Sequence, residues 1–81
     1  MEKRVALLGI IVENPKSVDS LNEVLHEHRD SIVGRMGIPY RQRKVDIISV
    51  VVDAPKEDTE ALAGKLAGID GVNVSISYAK A

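Results

Sequence analysis

The 81-residue sequence contains no cysteine, no phenylalanine and no tryptophan, and only two tyrosines, Tyr40 and Tyr78. Without cysteine there is no disulfide, no thiolate metal site and no cysteine nucleophile. The shortage of aromatics makes the core aliphatic. It also removes the interleaved stacking residues that single-strand nucleic-acid binders use. Neither sign of charge is in excess: 11 Lys and Arg against 12 Asp and Glu leave a net charge of -1, with no global pull toward nucleic acid or an acidic membrane. No apolar run is long. Val5–Val12 is too short for a membrane span or an ordinary signal peptide, and no cleavage pattern follows it. The expectation is a single cytoplasmic domain over residues 1–81. A chain of this length buries only about 60% of its unfolded surface, and small domains without covalent staples often gain stability by oligomerising.

What is present is dominated by one stretch, Lys44–Pro55. Its apolar residues Val45, Ile47, Ile48, Val50, Val51 and Val52 are all β-branched, which favours a strand. They fall on both faces, the pattern of a central strand covered on both sides. Val5–Val12 is the one comparable stretch, and the two are expected to be neighbours. Gly9 within it points to a bulge or a close backbone approach.

Between and after these two strands the punctuation is regular. Asn14 is a good N-cap and Pro15 suits a first helical position, so a helix is expected over about 16–28 with Val18, Leu21 and Leu25 as its apolar stripe. Ser31–Ile38, with Gly34 and Gly37, reads as an irregular edge strand, and residues 39–43 as the turn that follows. A second helix is expected over 56–67, burying Ala61, Leu62, Leu66 and Ile69. Gly64 and Gly68 would form a smooth face for close approach. After the Asp70-Gly71 turn, Val72, Val74, Ile76 and Tyr78 alternate with polar residues, as in a half-exposed strand. The order β-α-β-β-α-β predicts an α+β, ferredoxin-like domain with a four-stranded antiparallel sheet in the order 4-1-3-2. Its helices cover one face only, so the apolar residues on the other face predict a homo-oligomer, dimer or tetramer.

No residue set forms a self-sufficient catalytic motif: there is no nucleophile–base pair, Walker loop or dinucleotide fingerprint, and an enzyme is not expected. His26 and His28 lie two apart on a helix and point about 200° away from each other, so they cannot clamp one metal. His28 continues the apolar stripe and suits a helix end. Arg35, Arg41, Arg43 and Lys44 surround the Pro39 turn. They fit either a solvated edge hairpin that discourages strand pairing or a phosphate or nucleic-acid contact. The first is favoured, and no direct nucleic-acid partner is expected. Glu13-Asn14-Pro15 offers free backbone N–H groups to a small anion, or is simply a cap.

Arg35-Met36-Gly37-Ile38-Pro39-Tyr40, the Val45–Val52 strand and Leu62–Val72 give the chain its likeness to known proteins. Over nearly its whole length it resembles the small stand-alone proteins known as regulators of the iron-only hydrogenase system. That resemblance implies an ACT-like regulatory domain, a role linked to transcription, and sensing of a small ligand or a partner protein. Glu13, Asn14, Arg35 and Tyr40 sit where ACT-type domains expose polar groups at element ends, and are the candidate ligand contacts. A structural assembly module without a ligand is the alternative.

The chain is more distantly similar to the C-terminal domain of the nickel-responsive repressor, with His26 at the place of its first nickel ligand. The other three ligand places fall near Gly37, Pro39 and Val45, which cannot bind a metal, so no metal is expected and the cofactor is left open. That repressor's ribbon-helix-helix DNA-binding segment has no counterpart here, because the first strand begins at Val5. Regulation would then run through a partner.

Overall fold

A computed structural model describes residues 2–80. Strand β1 (Lys3–Val12) is followed by a single 3-10 turn (Pro15–Ser17) and helix α1 (Val18–Glu27). Strand β2 (Ile32–Tyr40), a 3-10 turn (Arg41–Arg43), strand β3 (Val45–Pro55), helix α2 (Lys56–Ala67) and strand β4 (Val72–Tyr78) complete the chain. The sheet order is β2-β3-β1-β4 with antiparallel neighbours throughout, the ferredoxin-like arrangement expected from the sequence.

The two doubly apolar strands are the central pair. Their register sets Leu8 opposite Val50, Ile10 opposite Ile48 and Ala6 opposite Val52, all buried beneath the helices. Leu21 and Leu25 of α1 and Leu62, Ala63 and Leu66 of α2 close the core from above. Each of these leucines is essentially inaccessible, and burying such a side chain contributes about 2 kcal/mol. Asn14 caps the first 3-10 turn, its Oδ1 accepting from the Lys16 N–H at 3.0 Å, and Pro15 follows at the first helical position as expected.

Several local expectations give way to the fold. Gly9 sits in regular register between Ser49 and Ser75, with no bulge; the close approach there is of a side chain, since a Cβ on Gly9 would lie 3.1 Å from Ser75 Oγ. The irregularity lies in β2, between Ile32 and Gly34. Pro39 and Tyr40 belong to β2 rather than to the turn, because an edge strand has an unpaired side on which a proline lacking its N–H is tolerated. The turn itself is Arg41–Arg43, ended by Lys44 at φ 56° and ψ 38°, the one non-glycine residue at positive φ among the described residues. On α2 the buried positions are Thr59, Leu62, Ala63 and Leu66, at i, i+3, i+4 and i+7; Ala61 is exposed and Ile69 half-buried. Gly64 is also exposed, and a Cβ there would meet nothing within 4 Å, so no neighbour exploits the smooth face expected at Gly64 and Gly68.

Candidate functional site

Because side chains alternate along a strand, the register that buries Leu8 and Val50 turns their neighbours to the opposite face. Val5, Leu7, Gly9 and Ile11 of β1 share that face with Ile47, Ser49 and Val51 of β3. Met36, Ile38 and Tyr40 of β2 join them on one side, and Asn73, Ser75 and Ser77 of β4 form a polar border on the other. No helix covers this face. Met36 is 64% exposed, Ile38 53% and Leu7 46%, high values for side chains of this kind. Two shallow depressions cross it, each of about 340 Å³: one around Ile11, Ile47, Ser49 and Ser75, the other around Val5, Leu7, Val51 and Ser77.

The four candidate ligand contacts fall into separate places. Glu13 and Asn14 are tied into a clamp between the end of β1 and the turn before β4. The Glu13 N–H donates to the Gly71 carbonyl at 2.7 Å, and Asn73 Nδ2 donates to Glu13 Oε1 at 3.0 Å. Asn14 Nδ2 donates to Asp70 Oδ2 and the buried Ser17 hydroxyl to the Asp70 carbonyl, both at 2.6 Å. The Glu13 and Asn14 side chains thus both have partners within the chain. Arg35 lies on the helix side of β2, opposite Val50, and donates from Nη2 to Asn22 Oδ1 of α1 at 2.9 Å. With Val18, Pro39 and Asp46 it lines a groove of about 260 Å³. Tyr40 points to the open face, opposite Val45, and is 44% exposed. Arg35 and Tyr40 are therefore on opposite faces of one strand, and they line different grooves.

Tyr40 instead belongs to a second groove that the sequence did not single out. It measures about 310 Å³ and is lined by Val12, Pro15, Pro39 and Val45, with Arg41, Lys44 and Asp46 as its charged members. The signal in the sequence was the cluster of basic residues after Pro39; that the end of β1 lies beside it follows only from the sheet order. Arg43 is exposed but does not line this groove. His28 is half-buried at the end of α1, with Lys65 Nζ of α2 3.3 Å from its Nε2, consistent with a helix-end packing role. His26 is exposed. Among the described residues no three His, Cys, Asp or Glu side chains gather where they could hold a metal. No helix of the described chain is long and apolar enough to cross a membrane.

Comparison with known proteins accords with this architecture. The family model described as "Iron-only hydrogenase system regulator, putative" matches residues 4–76. Among solved structures, the uncharacterized protein TM1266 from Thermotoga maritima is similar over 98% of this chain and 100% of its own, at 36% identity and a TM-score of 0.93. A formyltetrahydrofolate deformylase from Pseudomonas putida KT2440 is 18% identical with a TM-score of 0.63; 90% of this chain aligns with 28% of that one, a likeness of fold alone. No curated protein matches the chain. With 73 consecutive positions, 4 to 76, under the family model, the chain belongs to the TM1266-like family, described as that of a regulator of the iron-only hydrogenase system.

Proposed function

We propose that this chain is a small, non-enzymatic regulatory domain of the iron-only hydrogenase system that assembles with copies of itself through the open face of its sheet and senses a small ligand or a partner protein. The observation that carries the reading is the uncovered apolar face. Val5, Leu7, Ile11, Met36, Ile38 and Ile47 are all exposed on it, and a contiguous apolar patch of this kind marks an interaction surface. The face is also arranged for a second copy. Leu7/Val51 and Ile11/Ile47 flank the small pair Gly9/Ser49 at equal steps of two residues, so a copy turned by half a revolution would lay one apolar pair over the other.

Ligand contact in this reading falls to the grooves beside Tyr40 and Arg35. Glu13 and Asn14 would contribute only by giving up their bonds to Asn73 and Asp70. Any effect on transcription would pass through the partner. Those same bonds favour a second reading, an assembly module that binds no ligand.

Native mass spectrometry of freshly purified protein separates the possibilities. A dimer or tetramer with a stoichiometric added mass is the expected result. A clean oligomer would move the reading to the assembly module, and a monomer would overturn it.

A further inference from the structure

We propose that the groove between the end of β1 and the β2–β3 hairpin binds a small molecule with one anionic group and a flat apolar body, such as an aromatic carboxylate or phosphate ester. This deepens the sensing half of the reading above by naming a site and a ligand chemistry. Three observations converge on it. The groove, at the end of the sheet, is lined by the apolar residues Val12, Pro15, Pro39 and Val45 together with Tyr40, surfaces that favour a hydrocarbon body. Arg41 and Lys44 line it together with one carboxylate, Asp46, so the lining is net positive and suits a single anionic group. Finally, Lys44 adopts the left-handed conformation at φ 56°, where Gly or Asn would sit with less strain. Lysine is a poor choice for making the turn alone, and this one lies on the wall of the groove. The volume, about 310 Å³, is that of a ligand at the small end of the usual range.

The test is an amide-shift titration of the intact ¹⁵N-labelled chain with benzoate and with phenyl phosphate, using benzylamine as the cation of matching shape. Saturable shifts centred on Val12, Tyr40, Arg41 and Lys44 are expected with both anions and not with benzylamine. Lys44→Asn and Arg41→Gln should each weaken binding by about tenfold, as expected for the loss of one charge-assisted contact. Asn tolerates the left-handed conformation, so Lys44→Asn should melt no lower than the parent, and its loss of affinity cannot be ascribed to misfolding. Arg41→Gln provides a check that leaves position 44 untouched.

The proposal is overturned if benzylamine binds equally well, or if both variants bind as the parent does. It also fails if no saturable shift occurs up to about 10 mM, the range in which fragments of this size bind. Shifts centred on Leu7, Ser49 and Val51 would likewise overturn it, while leaving ligand sensing at the open face intact. The oligomeric state is read separately by native mass spectrometry, so failure of this site and failure of the assembly reading are distinguishable.

Discussion

Gly71 shows what a single residue decides in this chain. It sits at φ 71°, and a Cβ built there would lie 2.8 Å from Asn14 Cβ and 2.9 Å from the Asn14 backbone nitrogen. Both the left-handed backbone and the close approach of the β1–α1 connection therefore require glycine. Gly71→Ala should destabilise the protein by about 2 kcal/mol or more, combining left-handed strain with the displaced Asn14 segment. Urea unfolding of the two forms measures this directly, and a change within experimental error would mean that the clamp is loose in solution. The turn was legible beforehand from the Asp70-Gly71 pair, but its partner was not, because 56 residues separate Asn14 from Asp70. Lys44 is the opposite case. A left-handed residue usually announces itself as Gly or Asn, and nothing in Arg41-Gln42-Arg43-Lys44 does so.

Elements were read well where their periodicity was strong and less well where it was diluted. The sequence predicts helix α2 at its observed limits, but with Ala61 on its inner face. The true stripe runs through Thr59 and Ala63, small or polar residues that carry little hydropathy signal. Thr59 is fully buried, and its hydroxyl has no hydrogen-bond partner among the described residues. A Cβ added to Gly64 on the outer side of the same helix would meet nothing within 4 Å. Gly64→Ala should therefore raise stability by about 0.5–1 kcal/mol, through better helix propensity and a less flexible unfolded chain. Thermal unfolding measures this. A lower Tm would instead mean that another chain packs closely against that face of α2, the use that the Gly64/Gly68 spacing suggests. The sequence of β2 reads as an irregular edge, but one that ends at Ile38 and not at Tyr40, because Pro39 reads as a breaker except on an edge.

At the scale of the whole molecule the sheet order separates two adjacent valines. Val50 is completely buried beneath the helices, while Val51 lies on the open face opposite Leu7. Val50→Lys should unfold the chain, since an unpaired ammonium in the core costs at least about 3 kcal/mol. Val51→Lys should leave circular dichroism unchanged and shift the protein toward monomer in light scattering behind gel filtration. If Val51→Lys assembles like the parent, the open face is not the interface. The sequence alone could name both positions as apolar, yet not say which would break the fold and which the assembly. Alternation divides a strand into two faces, and only the packed helices show which face they cover.

The sequence by itself determined the elements, their order and the identity of the two central strands. Local propensity, capping residues and a run of β-branched side chains act within a few residues of one another. It also determined that some apolar surface would remain after the helices had packed. Tertiary structure decided everything that depends on distant segments meeting. It tied Glu13 and Asn14 to the turn before β4, parted Arg35 from Tyr40 across the thickness of β2, and set Val12 and Pro15 beside Tyr40 and Lys44. Sites are made by such juxtapositions, and the hydrogen-bonded register of the sheet fixes them over separations that no local pattern spans.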